Sequence, residues 1–80
     1  MHNFSKRISI EAGFSLEFLF NRIYTADDIR YHVSVMDRNG NYYFTMEQSN
    51  GAWRIVNAPK VPDWIMGVEK KLENAIIENM

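Results

Sequence analysis

The chain has 80 residues, 46% hydrophobic and 14% aromatic, and its nine basic and ten acidic side chains give a net charge of −1. That apolar content argues for one globular domain over residues 1–80 and against a disordered chain. The near-neutral balance offers no strong field for nucleic acid or an anionic membrane, and the absence of cysteine excludes disulfides and thiolate metal sites.

In the N-terminal third, Phe4, Lys6, Ile8 and Ile10 alternate with Ser5, Arg7 and Ser9, the period of a strand. Ala12-Gly13 can turn it. Phe14, Leu16, Phe18 and Phe20 then alternate with Ser15, Glu17, Leu19 and Asn21, which favours a second strand. A helix is the rival here, because Leu16, Leu19, Phe20 and Ile23 also fit a 3.6-residue period with Ser15 as N-cap. Thr25-Ala26-Asp27-Asp28 reads as the polar loop that follows.

Two Asn-Gly pairs organise the middle of the chain. Asn-Gly suits a two-residue type I′ turn, which needs positive φ at both central positions. With Asn39-Gly40 as the first turn, Met36 faces Tyr43, Val35 faces Phe44, Val33 faces Met46 and His32 faces Glu47. With Asn50-Gly51 as the second, Gln48 faces Trp53, Glu47 faces Arg54, Met46 faces Ile55 and Thr45 faces Val56. An inner face follows: Ile29, Tyr31, Val33 and Val35, then Tyr42, Phe44 and Met46, then Trp53 and Ile55. The outer face holds Arg30, His32, Ser34 and Met36, then Tyr43, Thr45 and Glu47, then Arg54 and Val56.

Asn57-Ala58-Pro59-Lys60-Val61-Pro62 is a connector whose prolines stop a strand and start a helix. From Pro62 to about Asn79 the period becomes helical. Ile65, Val68, Leu72, Ala75, Ile76 and Asn79 share one stripe with Trp64 beside it, while Glu69, Lys70, Glu73, Asn74 and Glu78 lie away from it. Gly67 costs about 1 kcal/mol in a helix interior, and is expected there to let the helix approach the sheet. Trp53 and Trp64 are expected to be buried between sheet and helix. The expected fold is α+β: an antiparallel β-meander of about five strands packed on one C-terminal α-helix.

Chemistry-bearing residues are sparse. His32, Glu47 and Arg54 form a row on the outer face. It reads as a cross-strand charge ladder rather than a proton-transfer triad, because no nucleophile joins it. Asp37-Arg38-Asn39-Gly40-Asn41 begins like a calcium loop, but its glycine is fourth instead of sixth and Gln48 stands where the twelfth-position glutamate belongs. Asp27 and Asp28 are adjacent carboxylates in a solvated loop, and His2 and His32 are isolated. No catalytic residue, cofactor site or metal site is expected.

Met36, Tyr43 and Val56 are apolar residues on the supposedly wet outer face, and Leu19 joins them if its strand lies in the same sheet. Met66 and Ile77 stand off the helix stripe. A contiguous apolar group on a small, staple-free domain points to self-association. The expectation is therefore a small non-catalytic interaction or adaptor domain whose partner is a second copy of itself or another protein. No membrane span is expected. With no apolar stretch after Met1-His2-Asn3-Phe4-Ser5-Lys6-Arg7, a cytoplasmic location is the default. The alternative is a single-stranded nucleic-acid-binding domain. A curved meander backed by a helix is similar in architecture to Whirly and Pur-type domains, and Arg30, Arg54 and Tyr43 share the outer face. The net charge and Glu47 weigh against that alternative.

Overall fold

The alternation of apolar and polar residues from Phe4 onward produces strands throughout, including the stretch where a helix competed. The computed structural model describes residues 3–56 and 61–80. It contains β1 (Asn3–Glu11), β2 (Phe14–Tyr24), β3 (Ile29–Asp37), β4 (Gly40–Ser49) and β5 (Ala52–Val56), followed by α1 (Asp63–Met66) and α2 (Glu69–Glu78). The strands form one antiparallel sheet in chain order. The fold is thus the expected α+β meander with a C-terminal helical segment. Residues 57–60 of the connector, and His2, lie outside the described residues.

In β2 the strand wins because a two-residue period buries Phe18 and Phe20 completely while Leu19 between them stays exposed. A helix would have brought Leu19 and Phe20 to one face. Phe14, at the start of the strand, is exposed at 43%. Thr25 closes the next loop: its N–H and hydroxyl both donate to the Asp28 carbonyl, at 2.8 and 3.0 Å. The Asp28 carboxylate accepts the Ile29 N–H at 2.8 Å.

The second hairpin has the expected register, with Gln48 opposite Trp53, Glu47 opposite Arg54 and Met46 opposite Ile55. Asn50 and Gly51 take φ of 53° and 82°, as a type I′ turn requires. The first hairpin does not. Val33 pairs with Phe44, not Met46; Val35 pairs with Tyr42, not Phe44; and His32 pairs with Thr45, not Glu47. Its loop residues are Arg38 and Asn39, flanked by the pair Asp37 and Gly40. The cause is local. The Asp37 carboxylate accepts the Asn39 N–H at 2.7 Å, an Asx turn that competes with the type I′ geometry. Asn50 is the one non-glycine with positive φ among the described residues, so Asn39 is not left-handed; Gly40 takes φ +136° instead. Asp first and Gly fourth is the signature of a type I turn. Each β4 partner lies two residues earlier than expected, a full pleat repeat, so every side chain keeps its face.

The concave face gathers the core. Phe18, Phe20, Tyr31, Val33, Val35, Phe44, Met46 and Trp53 from the sheet meet Ile65, Val68, Leu72, Ala75 and Ile76 from the helices, all at most 4% exposed. Aromatic rings cross this face in a chain. Phe4 stacks on Phe20 with centroids 4.6 Å apart, and Tyr31 meets both Phe20 and Trp53 edge-on, at 6.4 and 5.2 Å. Trp53 is buried as expected. Trp64 is only partly buried and rests its ring against Phe18 and Tyr42.

The helical segment departs from expectation in two ways. It breaks at Gly67, which caps α1 with its N–H on the Asp63 carbonyl at 2.8 Å. A methyl group on Gly67 would meet the carbonyls of Asp63 and Trp64, not the sheet, so close approach does not explain this glycine. Asn79 is exposed, whereas Glu73, expected to face solvent, is 7% exposed. Its role lies at the sheet margin. The Glu73 and Glu69 carboxylates accept the backbone N–H groups of Trp53 and Ile55, both at 2.9 Å. Four helical residues rise about 6 Å and two strand residues about 6.7 Å, so the two spacings match. These carboxylates stand where the carbonyls of a sixth strand would lie. At the opposite margin Lys71 donates to the Ser9 carbonyl of β1 at 2.8 Å, and Lys6 pairs with Glu78 at 3.4 Å. One helix therefore holds both edges of a curled sheet.

Candidate functional site

With the inner face filled and both edges engaged by α2, the convex outer face is the broad surface that remains. Its side chains fall into rows fixed by the register. Ile23, Arg30, Glu47 and Arg54 form one row; Asn21, His32, Thr45 and Val56 form the next; Leu19, Ser34 and Tyr43 form the third. The expected row of His32, Glu47 and Arg54 is therefore corrected, with Arg30 taking the place of His32 because β4 is shifted by two residues. Arg30 Nε lies 3.1 Å from Glu47 Oε2. Both side chains are partly exposed, at 43% and 28%, which limits such a pair to about 1 kcal/mol or less. Arg54 stands opposite Glu47 on the far side. The row is a charge ladder with an acid between two bases.

Met36 and Tyr43 are not direct partners, as the first register had them. Met36 faces Asn41 and Tyr43 faces Ser34. They still border a common shallow groove of about 330 Å³, together with Glu17, Leu19, Ser34 and Asn41. Leu19 is in the same sheet and joins the group. Leu19, Met36 and Tyr43 are 51%, 67% and 71% exposed, a high exposure for three large apolar side chains around one depression. Val56 is half-buried one row away, at the border of this patch. Asn21, His32 and Thr45 separate the apolar group from the charged row of Arg30, Glu47 and Arg54, so its border on that side is polar, and Glu17 lines the groove itself.

The remaining candidates are dispersed. Asp37 through Asn41 serve the first hairpin turn, and Asp27 and Asp28 sit in the loop between β2 and β3. Among the described residues no group of three or more His, Asp or Glu side chains could hold a metal ion. No helix among them is long and apolar enough to cross a membrane.

A second depression has no counterpart in the sequence reading. At the end of the concave face, between the β2–β3 loop and the C-terminal part of α2, lies a cavity of about 520 Å³. Arg22, Tyr24, Ile29, Tyr31, Trp53 and Met80 line it. The sequence carried one signal for it: after Phe18 and Phe20, the next inward position of β2 is a cation, Arg22, rather than another apolar residue.

Compared with known protein families, curated proteins and solved structures, the chain matches none of them.

Proposed function

We propose that this chain is a small non-catalytic interaction domain that self-associates through the outer face of its sheet. The observation that carries the reading is the cluster of Leu19, Met36 and Tyr43 around one groove, on the face of the sheet opposite α1 and α2. A two-fold arrangement of two such faces would set each apolar group against its copy, with the polar and charged rows outside it. An apolar centre and a polar rim are the usual anatomy of a protein interface. At about 25 cal/mol per Å² of apolar surface, a modest contact contributes several kcal/mol before association costs. Analytical ultracentrifugation tests the reading: it requires a concentration-dependent dimer, and a monomer at high micromolar concentration would overturn it.

The nucleic-acid alternative has less support. Arg30 is engaged by Glu47, and Glu47 divides the two arginines that would otherwise form a basic strip.

A further inference from the structure

The cavity at the open end of the curled sheet sets Arg22, with one short hydrogen bond, among aromatic side chains, and Asp27 and Asp28 also belong to its lining. Arg22 points its guanidinium across Tyr31, with Cζ 5.4 Å from the ring centroid. Its Nε donates to Tyr31 Oη at 2.8 Å. Its other two bonds, to Tyr24 Oη and to the Asn79 carbonyl, are long at 3.4 Å. Among the described residues no carboxylate pairs with Arg22. Five N–H donors therefore meet one good acceptor and two weak ones. Trp53 lines the same cavity; it is 3% exposed, and its indole N–H is buried with no hydrogen-bond partner among the described residues. A buried donor left in this state costs about 1–3 kcal/mol.

The walls define the rest of the chemistry. Tyr24, Tyr31 and Trp53 give flat aromatic surface, and Ile29 and Met80 give aliphatic surface. A volume of about 520 Å³ falls within the range of small-ligand pockets, roughly 300–1,000 Å³. Asp27 and Asp28 stand at the rim. Their carboxylates lower the potential for any anion that enters, so affinity for an anion comes from direct hydrogen bonds to Arg22 and from the aromatic walls.

We infer that this cavity binds a small monocarboxylate with a flat apolar body, its charge held by Arg22 and its body stacked between the aromatic walls. The site lies on the concave side of the sheet and is independent of association through the convex face.

The test is a titration of the ¹⁵N-labelled full chain with naphthalene-1-acetate and with its neutral amide, following the Trp53 indole N–H. The acid should shift that resonance saturably and bind about tenfold or more tightly than the amide, the worth of one charge-assisted hydrogen bond. Arg22→Gln should erase the difference between acid and amide. Met80→Glu, at a residue 69% exposed on the cavity wall, should weaken the acid and spare the amide, and it serves if Arg22→Gln does not fold. No saturable shift at millimolar acid, equal binding of acid and amide, or an unchanged preference in the variants would each overturn the assignment.

Discussion

Glu73 Oε2 lies 2.9 Å from the backbone nitrogen of Trp53, so a helix side chain completes the hydrogen bonding of an edge strand. The Trp53 N–H, followed by Lys70 with its Nζ 3.1 Å from Oε1, holds the Glu73 carboxyl below its ordinary value of 4.5. A carboxylate depressed in the folded state stabilises it above the unfolded value, and that stabilisation is lost as pH falls through the folded value. The contribution is therefore complete above about pH 4.5 and disappears below it. Glu73→Ala should lower Tm at pH 7 by roughly 5 °C or more. The gap between variant and wild type should narrow as pH falls below 4.5, as calorimetry across pH 3–7 would show. A gap that is constant with pH would mean that the carboxylate charge has no part in holding the edge.

Trp53 and Trp64 differ in burial, and their truncations should differ in cost. Trp53→Ala removes a ring that is 3% exposed and packed against Tyr31. It should cost about 3–5 kcal/mol, enough to unfold much of a domain this small. Trp64→Ala removes a partly buried ring and should cost distinctly less. Urea denaturation of the two variants gives the comparison; equal costs would contradict the packing described.

The two hairpin turns respond oppositely to substitution at asparagine. Asn50 holds a φ of 53°, a left-handed conformation that costs an alanine about 1–2 kcal/mol. Asn39 has no such conformation, so Asn39→Ala should change stability by less than about 0.5 kcal/mol. Asp37→Ala, which removes the Asx bond of 2.7 Å, should cost about 1 kcal/mol. Chemical denaturation resolves these differences, and a reversed order for Asn39 and Asn50 would restore type I′ geometry at the first turn.

Tyr43→Asp places a charge in the middle of the proposed interface. A dimeric wild type and a monomeric variant in sedimentation equilibrium would support association through the outer face. Tyr43 is 71% exposed and opposite Ser34, so the variant should lose little intrinsic stability. A variant that remains dimeric would place the contact elsewhere.

The sequence made face assignment easy and exact pairing hard, and the two hairpins show why. Alternation reports parity alone, and a slip of two residues leaves parity untouched. Val33 therefore belonged inside whether its partner was Met46 or Phe44. The choice lay with Asp37, whose side chain competes for the turn through a bond that hydrophobic patterning does not record. Glu73 was misplaced for a related reason. A helical wheel assigns charge to solvent, but the edge strand supplies a donor for that charge. The outer apolar group was legible as residues, although only the register of β2 against β3 brings Leu19 beside Ser34 and Tyr43. The concave cavity depends on contacts between β2, β3, β5 and the end of α2, which no local pattern contains.

A helix that fastens both margins of the sheet follows all five strands in the chain. During synthesis the strands therefore emerge before the element that shields them, and a nascent meander carries two unsatisfied borders able to recruit neighbouring chains. Docking of α2 removes both hazards in one event. Substitutions at Glu69, Glu73 or Lys71 should consequently raise losses to aggregation during expression by more than the melting temperature of the purified protein would indicate.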